Sequence, residues 1–271
     1  MLTRSGWRAH PGAGGTAADP RLLVLCYHAV SRDWDCLLAV DPDELERQIS
    51  AVLRRGYQPK TLAGAMSAPG SERTLVVTFD DAYRSVLTEG LPVLSRLEVP
   101  GTVFAPTDVV ARGGLMTDAI PIPAEWVGSD EEMRCMDWEE LRGLAGAGWE
   151  VGSHTCSHPN LAEVGRDAVA AELRRSRQAC EEGMGQPCRS IAYPFGAWNE
   201  GVVEEAAAAG YEFGVTLGDR LLGPLRGASA LQIPRDGVYR STKRWEYVLA
   251  ISPGLRRIRS LGVLSHLLAP G

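Results

Sequence analysis

The sequence predicts one α/β domain built on parallel strands, and three observations carry that expectation. Seven short runs rich in apolar and β-branched residues alternate with helical patterns between residues 22 and 252. Runs such as "TLVVTF" are apolar at nearly every position, as strands covered on both faces are. The 271 residues, 45% hydrophobic and 23% charged, have the ordinary composition of one folded domain of barrel size. Periodicity alone does not separate a closed barrel from an open sheet.

Residues 1–20, rich in Gly, Ala and Pro, are expected to form a disordered leader. They contain no apolar core of a secretory signal, and no apolar run in the chain reaches the ~18 residues of a membrane span. A cytoplasmic protein with no integral membrane segment is therefore expected. "LLVLCY" (22–27) reads as the first strand. Residues 41–56 follow as a helix, with Asp41 at the N-cap, Pro42 at N1, Glu44 at N3 and Gly56 as the stop. "RTLVVTF" (73–79) is the second strand, residues 85–98 a helix kinked at Pro92, and "GTVFAP" (101–106) the third strand. A less regular insertion then leads to "DWEELRGLAGAG", where Asp137 and Glu140 repeat the capping arrangement. "WEVGSH" (149–154) is strand four, followed by a long amphipathic helix. "CRSIAYP", "YEFGVTLG" and "ALQIPR" (230–235) are strands five to seven, and "STKRWEYVLAIS" the last helix of the alternation.

A net charge of −6 argues against a nucleic-acid partner, which calls for a clustered basic surface. The six cysteines form no CxxC pair and read as reduced, mostly buried residues.

Polar residues gather at the C-terminal ends of the expected strands. His28 follows strand one, Asp80 and Asp81 close strand two, and His154 and His158 close strand four. "YPFG" (193–196) closes strand five and Arg235 closes strand seven. Active sites of parallel α/β barrels are built at that end. Two adjacent carboxylates repel each other, so either solvation or a cation must offset Asp80 beside Asp81. A His-x-x-x-His pair is weak evidence alone. Beside an acidic pair it completes two imidazoles and a carboxylate, with coordination positions left open for catalysis.

"TFDD", "HTCSH" and "YPFGAWN" together resemble the ordered signature of the polysaccharide deacetylases, the NodB-homology group of carbohydrate esterases. The resemblance runs from "LLVLCYHAV" through "IPRDGVY". It implies a distorted (β/α)7 TIM-like barrel as a single domain over residues 21–252, with 253–271 as a C-terminal amphipathic tail. That tail is expected to close the barrel; its other reading is a basic helix on a membrane surface.

The resemblance also implies roles. Asp81, His154 and His158 become ligands of one divalent metal ion, zinc foremost, with cobalt and nickel suited to the same donors. Asp80 becomes the general base for a metal-bound water; side chains alternate along an extended backbone, so neighbouring carboxylates can face different tasks. Tyr193, Pro194 and Phe195 line the substrate, and the Phe195 backbone N–H serves the oxyanion. The general acid is one of two histidines: the family position favours His266, whereas the mouth end of strand one favours His28, and His28 is preferred. The family's usual arginine two residues before the motif proline is Ala192 here, so Arg235 is expected to pair with Asp80 instead. Cys156, between the two histidines, is taken as a bystander.

The expected function is metal-dependent removal of an N-acetyl group from an amino sugar, oligosaccharide or glycoconjugate. A deformylase of an N-formyl sugar conjugate would use the same machinery. Two rivals also stand: a two-histidine, one-carboxylate iron oxygenase, and a metal-containing relative that binds glycans without turning them over.

Overall fold

The computed structural model describes residues 19–120, 122–218, 225 and 229–261. Seven parallel strands close into a barrel: β1 (Leu22–Tyr27), β2 (Thr74–Phe79), β3 (Gly101–Ala105), β4 (Glu150–Ser153), β5 (Ser190–Ala192), β6 (Phe213–Leu217) and β7 (Ile233–Gly237). Each pairs with its neighbours in chain order. Closure comes from β1, which pairs with β2 over its whole length (Leu22↔Thr74 to Tyr27↔Phe79) and with β7 at Leu25↔Asp236 and Cys26↔Gly237. Around it lie α1 (Pro42–Leu53), α2 (Leu91–Arg96), α3 (Trp138–Gly146), α4 (Arg166–Met184), α5 (Glu200–Ala209), α6 (Arg244–Ala250) and α7 (Pro253–Ser260). This is the distorted (β/α)7 barrel that the sequence implies.

Strand alternation sorts the core into two parts. Leu23, Leu25, Leu75, Val77, Val103, Val151 and Ile191 belong to the larger core, with the outer helices. Val24, Val76, Phe104, Ala192, Val215 and Ile233 fill the barrel, together with Leu62 and Ala65 from the short helix Leu62–Ser67. That helix plugs the N-terminal end. Its Ala63 N–H donates to the Glu150 carboxylate at 2.7 Å, and Ser190 Oγ donates to the same carboxylate at 2.6 Å. A side chain at Gly152 would collide with Phe104 (2.8 Å), so glycine there leaves room for the interior phenyl ring.

The helix caps lie where the sequence puts them. Asp41 accepts from the Asp43 and Glu44 N–H groups at 2.8 and 3.3 Å, and Asp137 and Glu140 cap each other reciprocally. Residues 85–98 differ from the single kinked helix expected: a π-turn, Val86–Gly90, precedes α2. Pro92 thus falls in the first turn of α2, directly after the π-turn. The seventh strand also differs. It begins three residues later than "ALQIPR" suggests, so Arg235 sits mid-strand rather than at the end.

Asp236 faces outward on β7 and holds α7 against the barrel. Arg256 Nη1 and Arg259 Nη2 each lie 2.6 Å from its carboxylate, and all three residues are buried. Arg256 also donates to the Leu22 and Pro20 carbonyls. Residues 253–260 therefore belong to the barrel wall, with two of their three arginines turned inward and Ile258 exposed. Residues 1–18 of the expected leader (1–20) and 262–271 of the expected tail (253–271), His266 included, lie outside the described residues. Asp236→Ala strips two buried guanidinium groups of their carboxylate. A stability loss of about 3–5 kcal/mol is expected, read as a lower urea midpoint at unchanged slope.

Candidate active site

The barrel mouth collects the inward-facing residues at the top of each strand. Counting by twos from Val24, Val76, Gly152 and Ile233 brings His28, Asp80, His154 and Arg235 to the inner face. Asp80, Asp81, His154, His158 and Arg235 are all buried, and His28 is half-buried at the opening.

Arg235 reaches up through the barrel. Its Nη1 and Nη2 lie 2.6 and 2.7 Å from the two Asp80 oxygens. Nη1 also donates to Thr78 Oγ1 (3.1 Å), Nε donates to the Thr216 carbonyl (3.2 Å), and the guanidinium lies 5.6 Å from the Phe104 ring centroid. Burial alone would raise the Asp80 pKa; the charge of Arg235 reverses that and holds the carboxyl well below its ordinary range. Asp80 is thereby kept ionised and fixed in orientation. Ala192, the position without the family's arginine, contributes a small side chain to the barrel interior.

Asp81 turns the other way, toward the two imidazoles. His154 Nε2 lies 3.5 Å and His158 Nε2 3.3 Å from Asp81 Oδ1. The Nδ1 of His154 is 2.8 Å from the Ala192 carbonyl, so it carries the proton and Nε2 presents a lone pair to the carboxylate oxygen. Burial pushes the His154 pKa down to about 4, so the ring is neutral at neutral pH. Asp81 Oδ1 is buried, with no close hydrogen-bond donor among the described residues apart from the imidazoles beside it.

Two electron-rich atoms thus face each other across a gap that calls for a cation. The dimensions agree: a tetrahedral ion with bonds of about 2.0–2.1 Å sets its ligand atoms roughly 3.3 Å apart. So does the charge. With His154 neutral, Asp80 and Asp81 face one guanidinium, and the negative charge of Asp81 is left over. Asp81, His154 and His158 therefore fit a divalent ion.

Backbone strain concentrates here. Among the described residues six non-glycine residues have positive φ, and five surround the mouth: Asp81 (67°), Ala82 (51°), Thr155 (65°), His158 (58°) and Phe195 (59°). Such conformations persist where packing enforces them, commonly at functional sites. Phe195 sets its ring edge-on to His158, with centroids 4.7 Å apart. Its neighbour Tyr193 does not join the site through its side chain: the ring is buried and the hydroxyl donates to the Leu231 carbonyl at 2.9 Å. Pro194 is buried between them. Tyr239, which the sequence does not single out, packs its ring near that of His28, with centroids 6.0 Å apart.

The loop from His154 to His158 is held from outside the barrel by Glu172 on α4. Its carboxylate accepts from the Cys156 and Ser157 N–H groups at 2.8 and 3.1 Å and from Ser157 Oγ at 2.8 Å. Cys156 points its thiol at the Glu172 carbonyl, away from the ligand set. Glu172→Ala is expected to weaken metal binding about 10–100-fold, as lost outer supports do, measured by competition with a chromogenic chelator.

A family model described as polysaccharide deacetylase matches residues 67–214, more than half of the chain. The chain belongs to the polysaccharide deacetylase family. It is 25% identical over 206 residues to the putative polysaccharide deacetylase YxkH of Bacillus subtilis, covering 74% of this chain and 66% of that protein. To the chitooligosaccharide deacetylase of Sinorhizobium fredii it is 30% identical over 142 residues, 51% of this chain and 54% of that protein. The match to these curated relatives thus spans between about half and two thirds of their length. Among solved structures, Streptococcus pyogenes deacetylase PplD in complex with acetate superposes with a TM-score of 0.68 at 20% identity, covering 86% of this chain and 98% of that one. IcaB from Ammonifex degensii gives 0.68 at 22% identity, covering 88% and 96%. At these identities the likeness is one of fold. No helix among the described residues is long and apolar enough to cross a membrane.

Proposed function

We propose that this protein is a metal-dependent hydrolase that removes an N-acetyl group from an amino sugar within an oligosaccharide or glycoconjugate. The observation that carries this reading is the buried Arg235–Asp80 pair beside Asp81, His154 and His158. A carboxylate held ionised next to a three-donor cation site suits proton transfer, and simple glycan binding has no use for it. The named activity of the chitooligosaccharide deacetylase relative supports the substrate class.

The ligand assignment is Asp81, His154 and His158, with zinc as the ion. Held there, a divalent ion would supply Lewis acidity, which lowers the pKa of water and stabilises charge on an amide oxygen. Asp80 accepts the proton of the attacking water on its carboxylate, and Arg235 keeps that carboxylate ionised and aligned. His28, on the neighbouring strand end beside Asp80, donates a proton to the departing amine nitrogen. The Phe195 backbone N–H is assigned to the developing oxyanion, a contribution worth about 3 kcal/mol of barrier where such donors are preorganised. The Phe195 ring shields His158 from solvent.

The test is release of acetate from N-acetylglucosamine oligomers and conjugates by the zinc-loaded protein, with N-formyl sugars run alongside. Chelator-sensitive acetate release is the expected result. A metal-loaded protein that frees neither acetate nor formate from any of them would sink the hydrolase reading; formate alone would move the substrate to the N-formyl class.

A further inference from the structure

A second set of metal-ligating atoms lies in the same mouth. Cys26, two residues before His28 on β1, is fully buried and places its Sγ 3.5 Å from Asp80 Oδ2. Its sulfur, a ring nitrogen of His28 and a carboxylate oxygen of Asp80 all lie within 4.8 Å of one another. His28 Nδ1 is buried with no hydrogen-bond partner among the described residues. Sulfur, nitrogen and oxygen converging in this way suit borderline-soft dications, zinc and cadmium above magnesium. The Asp81–His154–His158 set contains no sulfur, so the two sites differ in chemical preference as well as place.

We infer that Cys26, His28 and Asp80 form a second, weaker divalent-metal site, and that filling it inhibits the enzyme. An ion there engages the carboxylate and the imidazole that are assigned the two proton transfers, so neither transfer can proceed. Two costs set the order of filling. The Arg235 guanidinium already occupies both Asp80 oxygens and repels an incoming dication. Binding also displaces the proton of a thiol that burial makes hard to ionise. Neither cost burdens Asp81, His154 and His158, which fill first. The inhibitory consequence rests on the hydrolase reading; the existence of the site does not.

Cobalt titration of the reduced, metal-stripped full-length chain under anaerobic conditions tests the site without any substrate. The first equivalent should give visible bands and no thiolate-to-cobalt charge transfer in the near ultraviolet; cobalt in excess should add that band. Cys26→Ser and Cys26→Ala should keep the first step and lose the second. In turnover assays, excess zinc should inhibit the wild type, and Cys26→Ser should need at least about tenfold more zinc, the low end of what a lost metal-site partner costs. The inference is overturned if excess cobalt brings no thiolate band, if the band survives in both Cys26 variants, or if Cys26→Ser is inhibited by zinc like the wild type. A chain that shows the band but hydrolyses no amide would instead count against the hydrolase reading.

Discussion

Arg235→Met is expected to lower kcat by about 10²–10⁴-fold, the range a positioned general base contributes, while metal content stays at the wild-type level. Methionine keeps most of the packing over Phe104 and removes the guanidinium. Without Arg235, the largest influence opposing burial is gone and the Asp80 pKa moves upward, which shrinks the ionised fraction available for its proposed role as base. The sign follows directly. A base works only when ionised, so raising its pKa moves the acid limb of the pH–rate profile to higher pH. Arg235→Lys should fall between the two, because an ammonium restores charge without the fork that fixes both Asp80 oxygens. The fold feels the same change. Asp80 has a folded-state pKa below its unfolded value, so its ionised form stabilises the fold above about pH 4 and that contribution fades as acid is added. Removing the partner of a buried charge costs about 3–5 kcal/mol, so folded fraction is measured alongside rate. Turnover within twofold of wild type in a folded, metal-bound Arg235→Met protein would dismiss Arg235 from the machinery.

The period-two pattern explains how much of this was readable beforehand. "LLVLCY" matches β1 from first residue to last, and "RTLVVTF" overshoots β2 by one residue. Once those strands are placed, alternation sends His28 and Asp80 to the same inner face. The bounds of the seventh strand are less legible, because a proline inside a central strand argues against that strand. Pro234 is tolerated since β1 pairs with β7 only from Asp236, so no ladder bond to β1 is lost at the proline. Reading the strand as ending at Arg235 hid the neighbouring role of Asp236, which clamps Arg256 and Arg259. Contacts between distant segments were out of reach. Nothing in spacing shows that Glu172 grips the His154–His158 loop, or that Tyr193 turns its hydroxyl to Leu231. Cys26 is the exception: its two-residue offset from His28 places both on one face, and that signal was available in the sequence.

The second large effect concerns Asp81, read in zinc affinity and in the stability that zinc adds. Asp81→Asn is the informative change, because asparagine tolerates the left-handed backbone (φ 67°) that this position requires. It keeps the shape and removes the surplus negative charge facing His154 and His158. Zinc affinity should drop by more than about a hundredfold, since the loss of outer supports alone costs about 10–100-fold. Acetate release at one equivalent of zinc should fall with it. Stability gives a readout that needs no substrate. Burial raises the Asp81 pKa, but His158 and the imidazoles beside it outweigh burial and lower it, so the ionised carboxylate stabilises the fold at neutral pH and metal-free Asp81→Asn should melt at a lower temperature. Added zinc should widen the gap, because a ligand that binds the native state and not the unfolded chain stabilises the protein that holds it. The comparison belongs at one equivalent, where the site built on Cys26 is not yet filled. An Asp81→Asn protein that binds that equivalent as tightly as wild type and gains the same thermal shift would show that the ion sits elsewhere.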